Sequence, residues 1–152
     1  PVQRLFKFKD NERVIAAFSL DPRAIGDIGR ATAGGDDEPA GADADVPVPP
    51  VHALAVTSDG YSLRFSLANL AEPSTRAGRR YARPADGAEV VGVSVVTGGE
   101  TVIAVTRDAR AMLCPASEVN FLAGPGKGVI LIKLVGDDDR VLGFVASTGD
   151  RD

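Results

Sequence analysis

Apolar residues along this chain come in short stretches separated by turn-forming residues. The stretches are rich in Val, Ile and Leu, and some alternate apolar with polar positions, as RLFKFK does at residues 4–9. Gly, Asp and Asn stand between them at hairpin spacing, which predicts an all-β domain with tight turns. The one helical candidate, at 67–72, is short. Strands are predicted at 4–9, 13–20, 52–58, 61–67, 89–96, 101–107, 111–116, 128–135 and 140–147.

The strand pattern repeats about every 50 residues. VTSDGYSLRFSLANL at 56–70 aligns with VTRDARAMLCPASEV at 105–119, an offset of 49. One four-stranded sheet of this length cannot bury both of its faces alone, whereas units stacked around an axis can, so the repeat predicts propeller-like blades. Their small number predicts part of a ring or an open array. The predicted blade units are 4–30 together with 51–72, then 73–121, then 122–147.

Charge is distributed unevenly. The chain carries 17 basic and 21 acidic residues, a formal net charge of −4. Residues 31–50, ATAGGDDEPAGADADVPVPP, hold five acids and no base, and this composition predicts a disordered insertion. Removing those five acids leaves 16 acids against 17 bases. The opposite cluster, RAGRRYAR at 76–83, holds four arginines and no acid, which is typical either of a solvated loop or of an anion-binding one.

Composition excludes several kinds of site. A single cysteine, Cys114, rules out an internal disulfide framework, and a single histidine, His52, rules out a multi-histidine metal site. The apolar runs are too short for a transmembrane helix. Neither Tyr61 nor Tyr81 has a histidine or an acid–metal cluster near it in sequence, so no catalytic role is expected for them. We expect His52 at the surface, Cys114 in the core, and the three acids at 137–139 in a solvated turn.

Two copies of one longer motif carry a family resemblance. The first reads V-T-x-D-G-Y-x-x-R-F-x-L-x-x-L at 56–70, followed by a Gly/basic loop and by D-G-x-E-V-V-G at 86–92. The second, at 101–144, contains G-P-G-K-G-V at 124–129. The pattern resembles the repeat in the C-terminal domain of bacterial DNA gyrase A and of its counterpart in topoisomerase IV, both of which are type IIA topoisomerases. The resemblance covers about residues 4–147, without 31–50.

The resemblance implies a fold and a role. In that family the domain is a β-pinwheel, a propeller-like ring whose blades exchange strands, and it binds and bends duplex DNA around its rim. The DNA-cleaving tyrosine lies in another part of the protein, so this segment is expected to be non-catalytic and to hold no cofactor or metal. The parent would use Mg²⁺ and, through its partner subunit, ATP. The implied partners are duplex DNA, the catalytic core and the ATPase subunit, in the bacterial cytoplasm at the nucleoid.

The heptapeptide Q-R-R-G-G-K-G that gyrase uses for wrapping is only partly present. The nearest stretch, at 122–128, keeps Gly126-Lys127-Gly128 and lacks both arginines. This departure favours a topoisomerase IV-like protein, unless the heptapeptide belongs to a blade outside these 152 residues.

Candidate DNA contacts lie on an inter-strand loop that recurs in the repeat. Lys and Arg there would neutralise phosphates and release counterions. Flanking glycines would let the backbone approach a phosphate, or would simply form turns. Three more arginines near the Asp-turn hairpins would extend the track, or would protect sheet edges. The predicted contacts are Arg76, Arg79, Arg80, Arg83, Lys127, Arg64, Arg107 and Arg110, with Gly78, Gly126 and Gly128 as approach glycines.

The net charge of −4 and the acidic insertion favour an alternative, a propeller-like protein-interaction module that has lost affinity for DNA. A continuous basic rim would favour DNA, and a mixed or acidic rim would favour a protein partner.

Overall fold

A computed structural model describes residues 8, 12–30, 47–72 and 78–149 of the chain. Most of the predicted strand 4–9, residues 31–46 of the acidic insertion, and Arg76 lie outside the described residues. Within them the regular structure is almost entirely strand, as the apolar pattern predicts. The helical elements are one turn of helix, α1 (Pro22–Ile25), and 3₁₀ turns at Ala68–Leu70 and Ala116–Glu118. In the described ranges no helix has the length and apolar character needed to cross a membrane.

The first sheet takes strands from both repeats. Its main strands are β1 (His52–Thr57), β2 (Tyr61–Phe65) and β3 (Val90–Val96). β1 and β2 form an antiparallel hairpin, and β3 pairs antiparallel with the other edge of β1. Two short strands from farther along the chain, β6 (Phe121–Leu122) and β7 (Val129–Ile130), both pair with β2. The order is therefore β3-β1-β2-β6, with β7 joined to β2.

The second sheet copies the geometry of the first. It contains β4 (Thr101–Thr106), β5 (Ala111–Pro115) and β8 (Val141–Ser147) in the order β5-β4-β8, all antiparallel. In both sheets the pairing with the third strand shifts at the same step, Val56/Thr57 in β1 and Val105/Thr106 in β4. The repeat seen in the sequence is therefore also a repeat of backbone geometry.

The sheets divide the chain differently from the expected units 73–121 and 122–147. β3 pairs with β1 and β8 pairs with β4, so the last strand of each repeat returns to its first. β3 pairs with the edge of β1 that β2 does not occupy, and next to this pairing the Ser58 N–H donates to the Glu89 carbonyl at 2.8 Å. β6 and β7 of the second repeat meanwhile complete the first sheet.

Two apolar cores lie on either side of β1, which is buried along its whole length. Leu54 and Val56 pack against the second sheet. The alternating residues Ala53 and Ala55 face the other way, into a core that apolar side chains of the segment 20–28 cover. This alternation follows from the two-residue period of a strand. The first sheet is thus enclosed on both faces.

Two strand predictions need correction. The predicted strand 13–20 has no strand pairing among the described residues. A strand is defined by hydrogen bonds to a neighbouring strand, and the described chain supplies none for this segment. The predicted strand 128–135 shortens to β7, because Leu131 and Ile132 turn into the core and both their N–H groups donate to the Gly60 carbonyl, at 2.9 and 3.2 Å.

Candidate nucleic-acid interface

Two basic loops lie side by side on the first sheet. The first loop is described over 78–83, and the second, 123–128, connects β6 to β7. Ala82 and Gly126 form a parallel β-bridge, and the Arg83 N–H donates to the Gly126 carbonyl at 2.8 Å. The Arg83 Nε also donates to the Pro125 carbonyl at 3.3 Å. The sequence predicts these loops as equivalents on one rim, and the structure joins them directly.

Tyr81 anchors the first loop to the sheet. Its ring stacks on Phe65 of β2, with the ring centroids 4.7 Å apart and the planes at 18°. Burial raises the pKa of the Tyr81 phenol. The anchor leaves the preceding residues, Arg79 and Arg80, exposed. Arg76, predicted as part of the same cluster, lies outside the described residues.

Lys127 of the second loop is exposed but has two neighbours. Its Nζ lies 3.9 Å from the centroid of the Tyr61 ring and 3.9 Å from Asp59 Oδ2. A cation–π contact at an exposed site contributes about 0.5–1 kcal/mol, and an exposed ion pair contributes no more. These contacts hold the ammonium in place while leaving it available to an anion. Sequence reasoning missed both neighbours, because they belong to the first repeat.

The three approach glycines differ in their surroundings. Gly78 has φ +72°, and a Cβ built on it would meet nothing within 4 Å, so this backbone is open to a ligand. Gly126 is buried in the bridge to Ala82. Gly128 has φ +81°, and a Cβ there would lie 2.7 Å from the carbonyl carbon of Ser62. The close approach of the β2 backbone explains why residue 128 is a glycine, and a phosphate contact is not needed to explain it.

Arg64 is not at the surface, and its prediction as a DNA contact is wrong. The residue is 9% exposed. Its Nε donates to the Val119 carbonyl at 2.6 Å and its Nη2 to the Ser117 carbonyl at 3.1 Å. The guanidinium therefore ties β2 to the segment that follows β5, and this segment leads into the second basic loop. Burial lowers the pKa of the Arg64 guanidinium.

His52 is also buried, at 1% exposed, so its prediction as a surface residue is wrong. Its Nδ1 lies 3.0 Å from the Pro49 carbonyl, which can only accept, so the proton is on Nδ1. The Nε2 then accepts from Arg64 Nη1 at 3.3 Å. Burial and the Arg64 charge lower the pKa of His52 and keep the imidazole neutral. Its partners lie on the proline-rich approach to β1 and on β2, so its position along the chain does not predict its burial.

Arg107 and Arg110 lie in the β4–β5 turn of the second sheet, and both are exposed. The Arg107 Nη1 donates to the Asp138 carbonyl at 3.4 Å, and the Arg110 Nη1 donates to the Lys133 carbonyl at 2.7 Å. Both guanidiniums keep further N–H groups for an anion, because each has five donors. Cys114 in the adjacent strand is partly buried against the core, close to expectation.

Acidic turns from both repeats meet in a cleft of about 520 Å³. Asp137 and Asp138 are exposed, as predicted, but Asp139 is buried. Burial alone would raise the pKa of Asp139, but hydrogen bonds from the N–H groups of Asp108 and Arg140 to its Oδ1 lower it. No group of three or more His, Cys, Asp or Glu side chains in the described part of the chain is arranged to hold a metal ion. The charged residues that line the cleft are Asp59, Asp86, Glu89, Asp137, Asp138, Asp139, Arg107 and Arg140.

Three solved structures with a similar fold are C-terminal domains of topoisomerase IV, DNA gyrase A and ParC. The C-terminal domain of DNA topoisomerase IV has a TM-score of 0.73 and 16% identity, over 97% of this chain and 38% of that chain. The DNA gyrase A C-terminal domain has a TM-score of 0.54 and 21% identity, over 64% of this chain and 31% of that one. The E. coli ParC C-terminal domain has a TM-score of 0.54 and 22% identity, over 62% of this chain and 40% of that chain. At these identities the likeness shows the fold, and this chain spans less than half of each structure.

A search of curated proteins found no match. The sequence model of one family, described as the DNA gyrase C-terminal domain, beta-propeller, matches residues 52–97 and 100–147. The first match holds β1 to β3 and the second holds β4 to β8, so the matched units are the two repeats of the structure. The match covers more than half of the chain, which therefore belongs to the DNA gyrase C-terminal domain family, with the described residues forming part of its β-propeller.

Proposed function

We propose that this chain is the non-catalytic DNA-binding part of a type IIA topoisomerase, in the gyrase A or topoisomerase IV branch. Arg79, Arg80 and Lys127 would contact backbone phosphates of duplex DNA, with Arg83 linking their loops. Gly78 would let the backbone approach a phosphate, because the space beside it is open. Binding of this kind is tolerant of sequence, since phosphates carry no base information.

One observation carries the proposal. The Arg83 Nε reaches across 42 residues of chain to the Pro125 carbonyl, and the bridge from Ala82 to Gly126 lies beside that bond. The loop with Arg79 and Arg80 and the loop with Lys127 therefore form one surface. Bending a duplex costs on the order of 1–6 kcal/mol, so a bending domain needs several phosphate contacts that act together. A joined pair of loops supplies them better than separate loops would.

Membership of the family supports a proposal for the wider role. The protein that contains this domain would use it to present a bent duplex to its catalytic core and so change DNA topology. That protein would require Mg²⁺ and ATP, the latter hydrolysed by a partner subunit, and would act in the cytoplasm at the nucleoid. We propose a topoisomerase IV-like activity, because the two arginines of the gyrase heptapeptide have no counterpart at 122–128.

The test is fluorescence anisotropy with a labelled duplex, titrated from about 50 to about 200 mM salt, where phosphate-driven affinity falls steeply. Arg79→Ala with Arg80→Ala should weaken binding at low salt and reduce the slope of log K against log salt by about 1.8, because each lost phosphate contact removes about 0.9. The matched control is Arg13→Ala with Arg23→Ala, which changes the net charge equally but affects arginines paired with Glu89 and Asp21. The control should bind as the parent chain does.

Equal loss in both double variants would mean that only net charge matters, and the proposed surface would be wrong. Absence of binding at the lowest salt would favour the alternative, a protein-interaction module. The acidic cleft between the two sheets supports that alternative, since six acids line it against two arginines.

A further inference from the structure

Two carboxylate oxygens in the acidic cleft lack a hydrogen-bond donor. They are Asp59 Oδ2, in the β1–β2 hairpin, and Asp139 Oδ2, in the turn before β8; both atoms are buried and have no hydrogen-bond partner among the described residues. Both residues line the cleft, and Asp139 is only 6% exposed. Lys127 Nζ lies 3.9 Å from Asp59 Oδ2, which is too far for a hydrogen bond. A buried carboxylate oxygen without a donor is costly, so these two atoms indicate a donor from outside the described chain.

The other oxygen of each carboxylate is held in place. Asp59 Oδ1 accepts from the Thr57 hydroxyl at 2.5 Å. Asp139 Oδ1 accepts from the N–H groups of Asp108 and Arg140, at 3.2 and 2.9 Å. These bonds orient both carboxylates within the fold. The two unpartnered oxygens are therefore acceptors with fixed positions, unlike the carboxylates of freely rotating surface side chains.

The turns that form the acidic cleft are joined to one another. Residues 85–89 lead into β3 and residues 136–140 lead into β8, so the two turns are equivalents in the repeat. Ser58 connects them, because its N–H donates to the Glu89 carbonyl at 2.8 Å and its carbonyl accepts from the Val141 N–H at 2.9 Å. The cleft is therefore built into the junction between the two sheets.

The lining of the cleft selects the chemistry of its ligand. Six acids line it against two arginines, which leaves an excess of four negative charges. The acids come from three separate turns, and in the described ranges no three of them are grouped to hold a metal ion. Leu134, Ala85 and Ala88 add apolar surface. The volume of about 520 Å³ lies within the range of about 300–1,000 Å³ that is typical of small-molecule sites.

We propose that the acidic cleft binds a linear polyamine, a chain of methylene groups that carries several ammonium groups. Two of the ammonium groups donate to Asp59 Oδ2 and Asp139 Oδ2, because charged N–H donors form stronger hydrogen bonds with carboxylates than neutral donors do. The methylene groups pack on the apolar part of the lining. Charges that are separated along one chain match acids from separate turns better than a single compact ion does. The proposal does not depend on DNA binding.

The experiment is isothermal titration calorimetry of the 152-residue chain with spermidine, without DNA, at about 0.1 M salt to screen attraction between exposed charges. The test variant is Asp59→Asn with Asp139→Asn. Each asparagine keeps the Oδ1 acceptor and replaces the unpartnered oxygen with an amide group that cannot accept. The affinity for spermidine should fall by at least about tenfold, since two charge-assisted hydrogen bonds are lost.

A matched control and a second cleft variant make the result specific. Glu72→Gln with Glu118→Gln changes the net charge equally at two exposed acids outside the cleft, and it should bind spermidine as the parent chain does. Asp86→Asn with Asp137→Asn changes two exposed acids that line the cleft, and it should weaken binding by a smaller factor. This second variant keeps the test decisive if circular dichroism shows that the first variant does not fold.

Four results would overturn the proposal. Absence of spermidine binding to the parent chain would mean that water alone satisfies the two oxygens. Equal losses in the cleft variants and in the control would mean that only net charge matters. Displacement of spermidine by an equal concentration of Mg²⁺ would indicate a metal site, and tighter binding of a tetralysine peptide than of spermidine would indicate a protein partner.

Discussion

Replacing Arg64 with alanine should destabilise the protein and leave its affinity for DNA unchanged. The guanidinium is turned away from solvent, toward the carbonyls of Ser117 and Val119 and the ring of His52. These bonds tie β2 to the connection that leads from β5 to β6. A residue that holds two parts of the fold together contributes to the free energy of unfolding and makes no phosphate contact.

The magnitude follows from the two carbonyl bonds. Val119 is buried, so its carbonyl would lose its partner, whereas Ser117 is exposed and its carbonyl would regain water. A hydrogen bond to a charged group contributes about 1.5–3 kcal/mol, and more is lost where the remaining acceptor stays buried. We expect Arg64→Ala to cost about 2–3 kcal/mol. Arg64→Lys should cost about half of that, since an ammonium lacks the planar fork that reaches both carbonyls.

The assay is urea unfolding followed by far-ultraviolet circular dichroism, because the chain has no tryptophan. A loss of 2–3 kcal/mol should lower the midpoint by about 1–2 M for a domain of this size. Arg110→Ala, an exposed arginine with a carbonyl bond of its own, is the control and should shift the midpoint little. Equal shifts for Arg64→Ala and Arg110→Ala would refute the cross-linking role. A selective loss of DNA affinity in folded Arg64→Ala would refute its exclusion from the interface.

Three further predictions rest on single contacts. The pKa of His52 is lowered in the folded state, so the urea midpoint should be constant above about pH 6.5 and should fall as the pH drops below that value. Because His52 is the only histidine in the sequence, His52→Gln should remove this pH dependence between about pH 6.5 and 5. Gly128→Ala should lower the urea midpoint more than Gly78→Ala does. Both substitutions strain a left-handed backbone, at a cost of about 1 kcal/mol, but only the Cβ at 128 also collides with the backbone of β2, so equal shifts would contradict this reasoning. The exposed pair Arg13–Glu89, at 3.0 Å, should show a coupling below about 1 kcal/mol in a double-mutant cycle, and a larger value would mean that the segment 13–20 is held by that pair.

The local pattern predicted most of the fold. Alternating apolar positions place the main strands, and Gly60 and the acidic turns mark their hairpins. The offset of 49 residues between the two copies is the spacing of two equivalent strands, β1 and β4. These features depend on residues close together in sequence, for which period and turn chemistry are sufficient.

What the pattern did not predict depends on contacts between the repeats. An arginine is expected at the surface, but the Arg64 side chain is buried because it donates to carbonyls 53 and 55 residues away in the sequence. The segment 13–20 has the composition of a strand but no paired strand among the described residues. For the candidate site, composition identified both basic loops, yet the contact between Ala82 and Gly126 that joins them appears only in three dimensions.

The two short strands that the second repeat contributes to the first sheet also bear on how the chain acquires its structure. In most tandem arrays each unit contacts only its neighbours, and folding can begin in any unit and spread from there. Here the first sheet is completed by residues 121–130, so its β2 edge stays open until synthesis has passed well into the following unit. The two units should therefore gain and lose structure together, and excision of the second unit would leave the first with an unfinished sheet.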